Sequence, residues 1–309
     1  MRKKTGSALL SALFLMTLIA IAVTAINFRL QQDIYRSKLG FDADKLYLAC
    51  QFTTFWGLNE LANEQKPFVS KNAKAKILEL PENIQKTYPG LRLSANLYDL
   101  QARFNINNLI EQKYFLFFLN LLKGKNVPIA KARDLSLALY NWLTPNQPSE
   151  LVNASIKYYL SRKPPYWPAK QSLKALSEFR LVKGVNRKRY NQLVDNITAL
   201  PERTLINLNT APKVVLMAMT NQKHEDAIDA LIKKRLSKAG LDKKDLPALL
   251  KKLGIQQDEV SLSSQYFWVV GDAYKEDLHL NCQAILKRSL DLNGKMTFSI
   301  IATSLNSDF

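Results

Sequence analysis

The chain has 309 residues, and 47% of them are hydrophobic, which is ordinary for a protein that folds. This length allows one membrane helix together with one or two folded domains. The formal net charge of +18 is compatible with binding to nucleic acid, an anionic surface or an acidic partner, and equally with a basic bias of the whole proteome. The two cysteines are far apart and not in CxxC spacing, which excludes a readable zinc site.

The first 30 residues are typical of a membrane anchor. Arg2, Lys3 and Lys4 precede an uncharged, mostly apolar stretch of 20 residues from Ser7 to Ile26. As a helix, such a stretch spans ~30 Å, about the thickness of a hydrocarbon core. The basic residues keep the N-terminus in the cytoplasm, so the chain from about Asn27 onward is expected on the other side of the membrane.

The small residue Gly6 lies before the apolar stretch, whereas a secretory signal carries its small residues after the apolar core. This arrangement resembles the class III leader of type IV pilins and type II secretion pseudopilins. A prepilin peptidase cuts such leaders after the glycine and leaves the apolar helix on the mature protein. The alternatives are therefore cleavage between Gly6 and Ser7 or a plain, uncut membrane anchor.

The helical pattern continues from Phe28 to about Gln65, where Lys66 and Pro67 end it. One face of this helix repeats at spacings of three and four. It comprises Leu46, Ala49, Cys50, Thr53, Trp56, Gly57 and Leu61. Gly40 and Gly57 are candidate bends in an otherwise long amphipathic helix.

The middle of the chain is predicted to be almost wholly helical. A short strand carrying Leu91, Leu93 and Leu97 closes at Tyr98–Asp99, and the helical block then runs from Asn105 to about Leu253. Proline and glycine punctuate the block between periodic runs. The predicted helices cover 107–122, 129–143, 172–182, 187–195, 211–220, 225–237 and 245–253.

The last fifty residues are predicted to form an antiparallel meander. Tyr266–Val270 is a β-type run, alternation of apolar and polar residues follows over 278–286, and a turn at Asp291–Gly294 leads into a further alternating run. The alternation points Cys282 inward, and Cys50 lies on the packing face of the long helix. If that helix lies on the sheet, the two cysteines come within disulfide range, and the alternative is two buried free thiols.

Several motifs, taken together and in order, resemble minor pseudopilin K of the type II secretion system. Asp99–Leu109 reads D-L-Q-A-R-F-N-I-N-N-L, where that family shows D-x-x-x-R-F-N-L-N-N-L. Gly6–Leu10 matches the family's processing site, and Ile206–Ala211 matches its I-N-x-N-T-A motif. Leu176–Gly184 and Ser264–Phe267 resemble the family's central segment and the entry to its late sheet.

The resemblance implies an α+β fold, in which a pilin-like long N-terminal helix packs on a small antiparallel sheet. A large all-helical domain with elements like those of SAM and helix-hairpin-helix modules is inserted into it. The expected divisions are a leader (1–6), a transmembrane segment (7–26), the first pilin-like part (27–104), the inserted domain (105–260) and the C-terminal sheet (261–309).

The resemblance also implies a function that is structural and not enzymatic. The family is located at the pseudopilus tip with minor pseudopilins I and J, where it initiates and caps assembly. The implied further partners are the major pseudopilin, the inner-membrane secretion platform and the prepilin peptidase. The implied location is the inner membrane, crossed once, with the bulk in the periplasm. Ser11 occupies the fifth mature position, where most pilins carry Glu and this family does not.

The family often binds calcium in an acidic loop of the form D-W-x-D-x-D. The corresponding stretch here replaces the expected carboxylates with Asn141, Thr144 and Asn146, followed by Gln147, and Glu150 is the acidic residue nearby. Calcium prefers 6–8 oxygen ligands, several of them charged. The replacements therefore argue against a calcium cofactor that the resemblance would otherwise imply.

The rival interpretation is a membrane-anchored helix-hairpin-helix protein that binds DNA in an uptake system. Such modules hold phosphate with glycine-rich hairpins, whereas the hairpin at Thr220–His224 has no glycine and Leu181–Val185 has one. An enzyme is disfavoured because no GxSxG, HExxH or P-loop motif is present. The histidines, His224 and His279, lie in unrelated contexts.

Overall fold

The computed structural model describes residues 5–62, 67–70, 74–85, 90–145, 156–291 and 293–307. Its dominant feature is helix α1, Thr5–Ala62, which has 58 residues and so is roughly 87 Å long. Gly40 and Gly57 both lie inside this continuous helix, so neither interrupts it. The later helices are α2 (Glu82–Gln85), α3 (Lys113–Gly124), α4 (Ile129–Leu143), α5 (156–160), α6 (Arg187–Leu193), α7 (Lys213–Met219), α8 (Glu225–Ser237) and α9 (Leu246–Leu253).

The strands form one main sheet and two small pairs. In chain order they are β1 (Lys76–Glu79), β2 (Arg92–Asp99), β3 (Phe104–Asn105), β4 (Ile197–Thr198), β5 (Ile206–Asn207), β6 (Val260–Ser261), β7 (Tyr266–Lys275), β8 (Leu278–Leu290) and β9 (Met296–Leu305). The main sheet has the order β1-β2-β7-β8-β9, with antiparallel neighbours throughout. The meander expected at the end of the chain is therefore confirmed.

The described part of the chain has two large apolar cores and a small cluster of Leu100, Leu200 and Tyr266. The first lies between the second half of α1 and the main sheet, and includes Trp56, Leu97 and Phe267. The second lies inside the block inserted between β2 and β7, and reaches from Phe104 to Val260. The expected α+β architecture, a long helix on an antiparallel sheet with a helical insertion, is confirmed.

The inserted block differs from the prediction in its first and central helices. In the segment 107–122 the α-helix begins only at Lys113, because Ile106–Ile110 forms a 3-10 helix. The segment 172–182 contains a 3-10 turn, Leu176–Leu181. The block also contains two short parallel strand pairs, β3 with β4 and β5 with β6. These pairs join segments that are far apart in the chain, which local periodicity does not reveal.

Candidate functional site

The first half of α1 projects away from the rest of the chain. Every described side chain from residue 8 to residue 41 is exposed. The apolar window of this helix has a mean hydropathy of 2.6, and none of it is buried against the protein. Exposing a large apolar side chain such as Leu13, Phe14 or Ile19 to water costs about 1.5–3 kcal/mol relative to burying it. This half of the helix therefore fits a single transmembrane anchor.

The polar residues of the anchor are accommodated within the helix. Thr17 donates its hydroxyl to the carbonyl of Phe14 at 2.8 Å, and Thr24 donates to Ala20 at 2.7 Å. Such bonds satisfy hydroxyl groups that lipid cannot. Ser11 lies exposed on the same stretch.

The proposed cleavage point lies at the start of α1. Gly6 and Ser7 belong to the first turns of this helix, and the side chain of Ser7 lies outside what the structure describes. Cleavage between them therefore stays a prediction.

Beyond the anchor, α1 keeps an apolar surface that no described residue covers. Large side chains on it remain exposed, namely Phe28, Leu30, Ile34, Tyr35, Leu39, Phe41, Tyr47, Leu48 and Phe55. An apolar helix surface of this length is typical of a helix that packs against other helices.

The second half of α1 packs on the main sheet through the face that the sequence predicted. Leu46, Ala49, Cys50, Thr53, Trp56, Gly57 and Leu61 are all buried. The approach is close because glycine faces each element. A Cβ atom added at Gly57 would lie 2.4 Å from Cγ2 of Val269, and one added at Gly271 would lie 2.3 Å from Oγ1 of Thr53. Both glycines are therefore required by packing, and Gly57 does not bend the helix.

Covalent and ionic links fix this contact. Cys50 of α1 and Cys282 of β8 form a disulfide, with their Cα atoms 5.8 Å apart. Nearer the membrane, the ammonium group of Lys275 hydrogen-bonds to the carboxylate of Asp42, and both side chains are largely buried. This bond lowers the pKa of Asp42. Helix and sheet are thus joined at two points along their contact.

The asparagines of the first family-like motif tie separate segments of the inserted block together. Asn107 donates to the carbonyls of Leu173 and Leu200, at 2.9 Å each, and accepts from the amide of Leu173 at 2.9 Å. Asn108 makes a two-way bond with the backbone of Thr204 in the same manner. These side chains replace backbone pairing where the chain is irregular. The motif is therefore structural.

The joint between the sheet and the inserted block is centred on Asp99, whose side chain is fully buried at the end of β2. Its Oδ2 accepts hydrogen bonds from Asn207 Nδ2 at 2.9 Å, Thr210 Oγ1 at 2.5 Å and Ser264 Oγ at 2.7 Å. Its Oδ1 accepts from the amide of Gln101 at 2.8 Å. Burial raises the pKa of Asp99, although all four hydrogen bonds oppose that rise.

Sequence reasoning did not assign a role to Asp99. The only available signal was its place at the head of the D-x-x-x-R-F-N motif, since its partners lie far away in the chain. Asn207 and Thr210 belong to the I-N-x-N-T-A motif, and Ser264 belongs to the segment at the entry to the late sheet. Three of the motifs that carry the resemblance therefore meet at one buried carboxyl group.

The expected calcium loop is described only in part. Asn141 lies in the last turn of α4 and Thr144 directly follows that helix, whereas Asn146, Gln147 and Glu150 lie outside the described residues. Lys170 donates its ammonium group to the carbonyl of Asn141 at 3.0 Å. A cation already bonded at this carbonyl does not favour a second cation beside it. Within the described ranges, no group of three or more His, Cys, Asp or Glu side chains is arranged so that it could hold a metal ion.

The hairpin considered for DNA binding packs against helix α3 and hydrogen-bonds to it. Between α7 and α8, Asn221 accepts from Asn120 Nδ2 at 2.6 Å, and Gln222 donates to the carbonyl of Asn120 at 2.9 Å. Thr220 donates to the carbonyl of Lys223 at 2.6 Å. The backbone amides of Thr220, Gln222 and Lys223 also donate within this part of the chain, to the carbonyls of Leu216, Met217 and Thr220. These three amides are therefore not available as a nest for phosphate.

The two histidines lie in separate parts of the structure. His224 directly precedes α8 and is exposed, whereas His279 stacks on Tyr274 and hydrogen-bonds to Asp272 on the sheet surface at 2.9 Å. The structure therefore does not bring them together.

Comparison with known proteins agrees with this architecture. A family model described as type II secretion system (T2SS), protein K matches residues 102–202. The chain is 29% identical over 213 residues to type II secretion system protein K of Pseudomonas aeruginosa, an alignment that covers 65% of this chain and 62% of that protein. It is 26% identical over 238 residues to the protein K of Aeromonas hydrophila, covering 68% of each chain.

A solved structure shares the fold. It comes from the crystal structure of the GspK-GspI-GspJ complex of enterotoxigenic Escherichia coli. The TM-score is 0.60 at 20% sequence identity, and the match covers 90% of this chain and 99% of that one. The family model and the named relatives therefore agree that the chain is similar to protein K of the type II secretion system, and the solved structure shows that the fold is shared.

Proposed function

We propose that this chain is the minor pseudopilin at the tip of a type II secretion pseudopilus. In this role it assembles with minor pseudopilins I and J, initiates the pseudopilus and caps it, and so supports protein export across the outer membrane. Its role is structural and not enzymatic. The similar solved chain, which comes from a complex with GspI and GspJ, supports these partners.

The observation that carries the proposal is the combination of an uncovered α1 and a large block inserted between β2 and β7. The apolar side chains of α1 offer a surface to sister helices along residues 28–55. The inserted block, from β3 to β6, adds bulk that a closely stacked filament body could not repeat at every subunit. A subunit with such a block fits the end of the filament.

The N-terminus supports the same proposal. A prepilin peptidase would cut between Gly6 and Ser7, which leaves α1 in the inner membrane as a single span and the folded part in the periplasm. Ser11 then occupies the position where a filament subunit carries the carboxylate that pairs with its neighbour's amine. A tip subunit has no neighbour above it and needs no such group. The disulfide suits an oxidising periplasm.

Co-purification tests the partners. The full chain, expressed with minor pseudopilins I and J of the same cell and extracted in detergent, should elute with both in equal amounts. Salt-sensitive retention on DNA without these partners would contradict the proposal and favour the DNA-uptake alternative.

Immunogold labelling of pseudopili tests the position. It should place the chain at one end of each filament. The major pseudopilin would form the filament body, and the inner-membrane secretion platform would complete the assembly. A variant with Ser11→Glu should keep this position, because the insertion remains too bulky for the filament body. Labels spaced evenly along the filaments would refute the tip role.

A further inference from the structure

The outer edge of β9 is an open sheet edge. β8 pairs with one side of this strand, and no strand in the described part of the chain pairs with the other. Residues 296–305 read MTFSIIATSL and contain neither a charged residue nor a proline. Natural proteins protect such edges with lysine, proline, a β-bulge, short length or a covering element. β9 has ten residues, and of these devices its described residues show only a bulge at Ile301. An uncharged edge of this length remains a template for pairing with another chain.

The hydrogen-bond directions in the sheet follow from two observed bonds. The amide of Arg288 in β8 donates to the carbonyl of Gln265 at 2.8 Å, so Arg288 faces the β7 side. The carbonyl of Asn281 in β8 accepts from the amide of Asn306 at 2.8 Å, so Asn281 faces the β9 side. In an antiparallel ladder the backbone groups of successive residues alternate between the two sides. Even-numbered residues of β8 therefore bond to β7, and its odd-numbered residues bond to β9.

The same alternation identifies the free edge groups of β9. The residues opposite the odd-numbered positions of β8 are Thr297, Ser299, Ala302 and Ser304. Their backbone groups point toward β8. Phe298, Ile300 and Thr303 lie opposite even-numbered positions, so their N–H and C=O groups point to the outside and are available to an added strand.

The side chains beside this edge favour an apolar occupant. Ile300, Thr303 and Leu305 line an open groove of about 220 Å³ between β9 and α1. Tyr47 and Phe55 form its helical wall and are 44% and 62% exposed. Among the described residues, no charged side chain lines the groove. A strand added to β9 would direct alternate side chains into it, and a charged one there would lose hydration without gaining a partner.

A second copy of the chain does not fit this edge in an antiparallel arrangement. Two identical antiparallel β9 strands would be related by a two-fold axis perpendicular to the sheet. Since α1 lies flat on the sheet, this axis would reverse the direction of one α1 relative to the other. The two membrane anchors would then point in opposite directions and could not enter the same bilayer from the same side.

We propose that the outer edge of β9 binds one extended, uncharged strand of a sister minor pseudopilin, whose apolar side chains fill the groove beside α1. This inference rests on the proposed function, because it places a protein anchored in the same membrane at the edge. The strand adds main-chain hydrogen bonds to Phe298, Ile300 and Thr303, and the groove selects apolar side chains.

Hydrogen exchange and binding test the proposal together. The full chain in detergent is mixed with full-length minor pseudopilin I or J of the same cell, and amide exchange over residues 296–305 is followed by mass spectrometry. One of the two proteins should slow exchange of the outward amides by about tenfold or more. Thr303→Pro removes one outward N–H without touching the bonds to β8, and should weaken binding by about tenfold.

Two further variants keep the test sharp. Thr303→Val retains the N–H and a β-branched side chain, so it should bind like the wild type. Ile300→Lys places a charge in the groove, keeps the backbone unchanged, and should weaken binding as Thr303→Pro does. Each variant is accepted only if its melting temperature matches that of the wild type.

The outcomes separate the two proposals. Binding of either pseudopilin with unchanged exchange in β9, and with Thr303→Pro and Ile300→Lys binding as the wild type does, overturns the strand proposal and leaves the proposed function standing. Slow exchange that appears in the chain alone and grows with its concentration also overturns it, in favour of self-association. If neither pseudopilin binds the wild type, both proposals fail.

Discussion

Replacing Asp99 by Asn should weaken the joint between the sheet and the inserted block. Oδ2 of Asp99 receives three donors and Oδ1 receives one. An amide offers one acceptor oxygen in place of two. Its NH₂ group must therefore face either the side-chain donors or the amide of Gln101, and at least one buried donor loses its acceptor. Since the site is fully buried, water cannot replace the lost bond.

The size of the effect follows from the number of donors left without an acceptor. Each buried, unsatisfied donor costs about 1–3 kcal/mol, so the loss of one acceptor in Asp99→Asn should lower the free energy of unfolding by about 1–3 kcal/mol. For a folded part of this size, that corresponds to a fall in melting temperature of roughly 2–12 °C. Asp99→Ala should cost more, because it removes both oxygens and leaves a cavity.

Thermal unfolding of the full chain in detergent, followed by circular dichroism, measures the change. Limited trypsin digestion should at the same time release the inserted block faster in the variant. Asp277→Asn is the matched control, because that carboxylate is exposed in the turn between β7 and β8 and should shift the free energy by no more than about 0.5 kcal/mol. Equal melting temperatures and equal digestion rates for wild type and Asp99→Asn would refute the reasoning.

Three further changes test other parts of the structure. Alkylation without reductant should label neither Cys50 nor Cys282, and Cys282→Ser should cost about 2–4 kcal/mol; two labelled cysteines would contradict the disulfide. Gly57→Val should lower stability by about 1–3 kcal/mol through overpacking, whereas Gly40→Val, with nothing within 4 Å, should not, and equal melting temperatures would contradict this. Gly6→Leu should leave the leader uncut, as intact mass would show, and a mature N-terminus beyond Ile26 in the wild type would exclude the proposed processing.

The parts of the fold that local periodicity encodes could be predicted from the sequence. The buried face of α1, from Leu46 to Leu61, is the face that spacings of three and four indicate. The alternation that points Cys282 inward is also observed, with Cys282, Ala284 and Leu286 buried in β8. Both patterns arise because one side of a regular element faces a core, and the residues along that side then carry the signal.

The features that depend on distant partners could not be predicted. The expected helix over 107–122 starts late because Asn107 and Asn108 bond to backbone some 66 to 96 residues away. Gly57 was a candidate bend, and only its proximity to Val269 reveals a packing role. The open edge of β9 also depends on strand order, which alternation within one strand does not contain.

The disulfide has a consequence for the integrity of the molecule after proteolysis. Its two cysteines are 232 residues apart in sequence, and the whole inserted block lies between them. Since β2 and β7 are neighbours in the sheet, with Asp99 opposite Phe267, the block leaves and re-enters the sheet at adjacent points. A protease that cuts a loop of the block opens a covalent ring without dividing the molecule. The last three strands then stay tethered to the membrane helix through sulfur, and the nicked chain runs as a single species until a reductant is added.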